Sequence, residues 1–301
     1  MAIVSLKKDK IFLTGSTGFV GSSIRNMLKG DLFFYTSGGH IPIEIDVMLH
    51  FAGKAHHLKQ VSNQQEYYEV NTELTKKVFD AFLKSHAKVF ITLSSVKAIA
   101  DTIEGELNEN HIPKPMTHYG KSKLLAEQYI LSKNIPEGKR VYILRPCMIY
   151  GNGNKGNLKL LYQWVSKGIP WPLGAFKNYR SFCSIENLLF IIKELTDRCD
   201  IPSGVYNVAD DLPLSTNDVI RLIAEAKDKK AKIWNLNKSF IIVIARIGDL
   251  LKLPLNTERL QKLTENYIVC NDKIKKALGK PLPITSIQGL RQNFHSYYTN
   301  V

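Results

Sequence analysis

Lys10-Ile11-Phe12-Leu13-Thr14-Gly15-Ser16-Thr17-Gly18-Phe19-Val20-Gly21 is the stretch on which the fold turns. Lys10 to Thr14 reads as a short buried strand, and SSIRNMLKG after Gly21 opens a helix. Between them, Gly15 permits a tight turn, Gly18 lets backbone approach a pyrophosphate, and Gly21 lets helix and strand pack closely. A strand, a glycine turn and a helix in that order predict an α/β chain. The expected architecture is a doubly wound parallel sheet of Rossmann type, with a dinucleotide at the turn.

Working outward, further strands are expected at Asp31 to Thr36, Asp46 to Phe51, Lys88 to Ser95 and Val141 to Pro146. Lys88 to Ser95 is apolar until it ends in hydroxyls, and open α/β sheets place ligands at the carboxyl ends of their strands. Glu66 to Ser85 reads as a long helix carrying Asn71, with Val70, Leu74, Val78, Phe79 and Phe82 inward. THYGKSKLLAEQYIL (117–131) reads as an amphipathic helix whose apolar face is Leu124, Leu125, Tyr129, Ile130 and Leu131. Four residues make just over one turn, so Tyr119 and Lys123 share a side, about 6 Å apart along the axis. An ammonium fixed beside a phenol favours the phenolate and lowers its pKa from about 10 toward the range of a general acid or base.

With 301 residues, 44% hydrophobic and 23% charged, the chain suits one sizeable core with an added lobe, or two interleaved lobes. Cys147, Cys183, Cys199 and Cys270 form no CxxC pair, which points to no metal site, no disulfide framework and a reducing compartment. The adjacent His56 and His57 have no carboxylate at ligand spacing and read as a polar loop near the substrate. MAIVSLKKDK lacks the apolar core of a signal peptide, so a cytoplasmic enzyme is expected. The formal net charge of +14 is spread along the chain, with no recognition helix or aromatic RNA-binding motif. It reads as solvated surface that also favours polyanionic ligands, with no nucleic acid partner. Ser239 to Leu251 is apolar on most sides, carries Arg246 and Asp249, and is too short to span a bilayer. It reads as a buried or interfacial helix, which leaves peripheral membrane contact and a homodimer open.

Taken in order, TGSTGFVG (14–21), HFAG (50–53), Asn71 opening NTELTKKVFDAF, LSS (93–95), YGKSK (119–123), RPCMIYG (145–151), RSFCSIENL (180–188) and GVYNVAD (204–210) carry a resemblance. The chain resembles the extended, nucleotide-sugar-modifying branch of the short-chain dehydrogenase/reductase superfamily, the NAD-dependent epimerase/dehydratase family. The resemblance implies three catalytic residues. Ser95 holds the reacting sugar oxygen, Tyr119 moves its proton, and Lys123 bonds the nicotinamide-side ribose. It implies cofactor contacts from Gly15, Thr17, Gly18, Phe19, Val20, Gly21, Phe51, Ala52, Gly53, Asn71, Lys123, Arg145 and Pro146. Ser37 falls where the family carries an acidic residue for the adenosine ribose. With no carboxylate there a 2′-phosphate is not repelled, so the cofactor is NAD or NADP. Substrate contacts are implied for Ser95, Val96, Asn157 and Arg180, the last on phosphate. One departure is plain: the connection from the second strand to Asp46 is roughly twenty residues shorter than the family pattern, on the adenine side.

The family's dehydratases follow the catalytic Ser/Thr with Asp-Glu; here Val96 and Lys97 stand there, which argues against dehydration. SSVKA looks more like the reductases of 4-keto-6-deoxy nucleotide sugars, with Lys97 facing solvent. The expectation is therefore an NAD(P)-dependent oxidoreductase reducing a 4-keto sugar on a nucleotide diphosphate. C4 epimerisation is the close alternative, and a non-catalytic dinucleotide sensor the one from another class. The domains expected are 1–156 with 179–203 for the dinucleotide, and 157–178 with 204–301 for the substrate.

Overall fold

The computed structural model describes residues 10–28, 31–36, 39–54, 64–154, 157–251 and 256–299. Six parallel strands form the central sheet: β1 (Lys10–Thr14), β2 (Asp31–Phe34), β3 (Val47–His50), β4 (Val89–Leu93), β5 (Arg140–Pro146) and β6 (Gly204–Val208). Their order is β6-β5-β4-β3-β1-β2, so the chain turns from one side of the sheet to the other between β1 and β3. That switch point, at the strands' carboxyl ends, is where such sheets open a crevice for ligands. Among the described residues of 35–46 there is neither helix nor strand, and β2 ends the sheet.

Helices cover both faces because alternate strand residues point opposite ways. Ile11, Leu13, Leu49 and Ile91 pack with Ile24 of α1 (Phe19–Arg25) and with Leu188, Ile191 and Ile192 of α6 (Ile185–Asp197). Phe12, Met48, Phe90 and Ile143 pack the other way, against Val78, Phe79 and Phe82 of α3 (Leu74–Lys84) and Ile130 of α4 (His118–Leu131). Phe79 and Phe90 meet edge to face, centroids 5.0 Å apart. Truncating such a ring to Ala costs about 3–5 kcal/mol. The helix expected from Glu66 to Ser85 is interrupted: α2 (Gln64–Tyr68) passes through a π-helical turn (Glu69–Glu73) into α3.

The remaining chain builds a smaller lobe. α5 (Asn157–Ser166), α7 (Thr216–Glu225) and α10 (Ser286–Thr299) surround Tyr162, Phe182, Ile223 and Phe294. Ser215 caps α7 in a reciprocal capping box with Asp218. α8 (Lys238–Leu251) and α9 (Thr257–Thr264) close over Trp171, Ile220, Ile241 and Leu260. Among the described residues no helix is long and apolar enough to cross a membrane. One boundary differs from the sequence reading, which gave everything after 203 to the substrate lobe. Gly204–Val208 is the edge of the central sheet, with Tyr206 and Val208 buried and the strand paired along β5 from Tyr142 to Pro146. An apolar strand seats there because β5 otherwise leaves an open edge.

Candidate active site

Two hydroxyls end the approach from β4. Ser94 bonds the Glu127 carboxylate, and Ser95, 8% exposed, caps a one-turn 3-10 helix (Val96–Ala98) by accepting from the Lys97 N–H at 3.2 Å. The start of α4 is locked onto this turn. Asp101 accepts from the N–H groups of Met116 at 2.7 Å and Thr117 at 3.2 Å, and Thr117 in turn caps Gly120. A Cβ on Gly120 would lie 2.3 Å from the Lys97 carbonyl oxygen, so only glycine lets helix and turn come this close. The result is a direct hydrogen bond between the side chains of Ser95 and Tyr119.

Lys123 lies one turn further along α4, buried, its Nζ donating to the Leu93 carbonyl at 2.8 Å. Burial lowers its pKa to about 8, with Glu127 pulling the other way. Tyr119 moves opposite to the sequence expectation. Burial raises its pKa, the Ser95 hydrogen bond opposes that rise, and Lys123 is not among the groups shifting it. The ammonium is held by the end of β4 rather than aimed at the phenol.

The inward face of α4 explains this environment, and it is not the apolar face expected. Gly120, Ser122, Lys123, Ala126, Glu127 and Ile130 are buried, while Leu125 and Leu131 are 44% and 58% exposed. Asn71, in the π-helical turn, donates to Ser122 Oγ at 3.0 Å and to the Lys54 carbonyl, and accepts from the Lys54 N–H at 2.8 Å. π-Turns recur at functional sites, and this one swings Asn71 in beside Lys123. A Cβ on Gly53 would come within 3.0 Å of Lys123 Nζ and 3.2 Å of Asn71 Oδ1. Thus Gly53, Asn71, Ser95, Tyr119 and Lys123 converge. Arg145 does not point there: its guanidinium grips Glu127 through bonds of 2.5, 3.0 and 3.1 Å inside the core. Pro146 ends β5 opposite Val208, and Val96 is 3% exposed.

The glycine turn lies across the sheet. Gly15 has φ +72°, and a Cβ on it would meet Phe51 and Ala52 backbone at 2.5 Å; one on Gly21 would meet the Gly15 carbonyl oxygen at 2.0 Å. Thr14 Oγ1 accepts from the Ala52 N–H at 3.1 Å and bonds His50 Nδ1 at 2.7 Å, while His50 Nε2 meets Thr75 at 2.8 Å. Burial, aided by Lys123, holds His50 neutral, its pKa lowered to about 3. Beside the turn a cleft of about 530 Å³ is lined by Thr17, Phe19, Ser22, Ser23, Asn26 and Asn152 to Asn154. Val20 is buried in α1. A turn with glycine at each close backbone approach, strapped to the strand end, with a cleft of ligand size beside it, fits a dinucleotide.

Arg180 pairs with Glu265 at 2.7 Å, and Lys97 lies 4.0 Å over the Tyr267 ring while donating to the Asp101 carbonyl at 2.6 Å. Lys97 is therefore half-buried rather than solvent-facing, and burial lowers its pKa. Tyr267 also donates to the Ala100 carbonyl at 2.7 Å, which ties the C-terminal lobe to the Ser95 turn. Neither Tyr267 nor Glu265 carried a sequence signal, since their partners lie far off in the chain. Asp101, whose partners Met116 and Thr117 precede α4, carried none either. Asn157 opens α5, its side chain outside the described atoms; Ser37, His56 and His57 lie outside the described residues.

The model of the 3-beta hydroxysteroid dehydrogenase/isomerase family matches residues 26–238. The UDP-glucose 4-epimerase of Vibrio cholerae is 31% identical, over 95% of each chain. The N-acetyl-alpha-D-glucosaminyl-diphospho-ditrans,octacis-undecaprenol 4-epimerase of Escherichia coli O157:H7 is 30% identical, over 94% of this chain and 93% of its own. Among solved structures, RMD from Pseudomonas aeruginosa complexed with NADPH superposes with a TM-score of 0.73, covering 97% of this chain and 100% of that one at 21% identity. The resemblance read from the motifs and the expected parallel α/β fold are both borne out by these matches.

Proposed function

The chain belongs to the 3-beta hydroxysteroid dehydrogenase/isomerase family, as an enzyme of the extended short-chain type, and from that premise we propose that it inverts C4 of a hexose carried on a diphosphate. The observation that carries this reading is the hydrogen bond between buried Ser95 and half-buried Tyr119, with buried Lys123 one turn on. NAD(P) would be held by the Gly15 to Gly21 turn, the Phe51 to Gly53 strand end, Asn71 and Lys123. When bound, it supplies a hydride acceptor that returns the hydride to the same carbon.

The residues do the rest. Ser95 fixes the C4 oxygen, and Tyr119 takes its proton in the oxidising half-reaction and gives it back in the reducing half. Lys123 holds positive charge beside the site, and its ammonium, with one of three N–H donors on the Leu93 carbonyl, would bond the cofactor's ribose with the others. Val96 and Lys97 supply no carboxylate for expelling water, which argues against dehydration. The two 4-epimerase relatives at 30% identity or more support inversion over the reduction expected from SSVKA. A nucleotide is the first carrier. A polyprenyl diphosphate is the second, favoured by the exposed apolar face of α8.

The test incubates the purified protein with a UDP-hexose, or the polyprenyl-linked equivalent, and sub-stoichiometric NAD. C4 interconversion with no net change at the nicotinamide absorbance band is expected. Steady oxidation of NAD(P)H with a 4-keto sugar, and no interconversion, would make it a reductase instead.

A further inference from the structure

α8 has two apolar faces, and the lobe uses one. Ile241, Ala245 and Gly248, at the spacing of one helical stripe, are buried against the lobe. Phe240, Val243, Ile247, Leu250 and Leu251 recur along another stripe and are 58%, 51%, 47%, 83% and 60% exposed. Five large apolar side chains in one contiguous row exceed the scattered exposure that any soluble surface shows. The segment leading into the helix, residues 226–238, carries Lys227, Lys229, Lys230, Lys232 and Lys238 against Asp228 alone, with Trp234 54% exposed among them.

We propose that this face of the C-terminal lobe docks on an anionic lipid surface, α8 lying in the plane of the interface. An apolar stripe flanked by lysines and an exposed Trp is the chemistry of interfacial helices, the rings and aliphatic chains entering the acyl boundary while the ammonium groups meet phosphate. Fourteen residues span about 21 Å, short of the roughly 30 Å hydrocarbon core, so the helix lies on the bilayer and does not cross it. Charge decides against a second copy of the chain as occupant. A symmetric pairing through α8 brings two sets of the same lysines together, whereas an anionic headgroup layer neutralises them. The inference stands on the lobe surface alone and holds whichever C4 reaction the chain runs.

Sedimentation of the full-length protein with vesicles tests it. Vesicles of phosphatidylglycerol and phosphatidylethanolamine should carry the protein down, phosphatidylcholine vesicles much less, and about 1 M salt, where the screening length is about 3 Å, should weaken the binding. V243E with I247E should reduce partitioning about tenfold or more while turnover of a soluble substrate stays unchanged. K229E with K230E, which leaves the apolar stripe intact, should remove the preference for anionic vesicles. A wild-type protein that ignores vesicles, a double glutamate variant that partitions as well as wild type, or a wild-type dimer that the glutamates split would each overturn the proposal.

Discussion

The two ends of the sheet's ligand edge are built to different standards. Where β4 meets α4, polar groups are packed as tightly as a core: Asn71, Ser94, Ser95, Ser122, Lys123, Glu127 and Arg145 are each 8% exposed or less. Each has a hydrogen-bonding partner. At the far end, β2 ends the sheet with Phe33 and Phe34 37% and 42% exposed, and 35–46 returns to β3 without a helix or strand among its described residues. The contrast teaches where the fold places its rigidity. Geometry is over-determined around the proton-transferring groups, and the end expected to meet adenine is thin.

The sharpest way to break that contrast is Tyr119→Phe. Loss of a general acid–base group lowers turnover by about 10²–10⁴-fold. Cofactor binding and thermal unfolding should barely move, because the ring's packing against Tyr67 remains. Near-full activity in this variant would dissolve the special status of the β4–α4 end.

Lys123→Met sharpens the same point through stability. The folded-state pKa of Lys123 is lowered from 10.5 to about 8 by burial. Between those values the unfolded chain holds a proton that the folded chain has lost, so stability rises with pH through that window. Below pH 8 the buried charge opposes folding by about 3 kcal/mol, and a methionine in its place forgoes a bond to Leu93 worth about 1. Lys123→Met should therefore unfold at higher urea at pH 7, by about 2 kcal/mol, lose this pH dependence, and be inactive. A less stable variant would show that the ammonium holds the site together rather than straining it.

Much of this division was legible in the chain. KIFLTGSTGFVG, the hydroxyls ending LSS, and YGKSK are local patterns, and local patterns fix strands, turns and helical faces. What stayed hidden depends on contacts across the fold. Glu127 reads as one more polar residue on a helix until β5 brings Arg145 to it, and that pair explains why a helix with a polar stripe is buried. Lys97 reads as solvent-facing because Tyr267, its cover, comes from a strand-like segment 170 positions away. Asn71 was visible, but the π-turn that aims it was not, since no residue type encodes one. The edge place of Gly204–Val208 needed the open side of β5.

The adenine end gives the smallest effect. With Ser37 where a carboxylate is usual and a short connection behind it, NADH and NADPH affinities should lie within roughly one decade, or about 1.4 kcal/mol, by fluorescence titration. A thousandfold preference would mean this end discriminates as firmly as the catalytic end positions.

The most direct test of hydride chemistry at the Ser95–Tyr119–Lys123 site follows one deuterium. A hexose labelled at C4, offered on UDP and on a polyprenyl diphosphate, is incubated with the protein and NAD, and the C4 epimer is read by NMR. Deuterium retained at C4 of the inverted sugar is the result expected, because the hydride leaves and returns without meeting water. An epimer whose label has exchanged with solvent, or no epimer on either carrier, would contradict it.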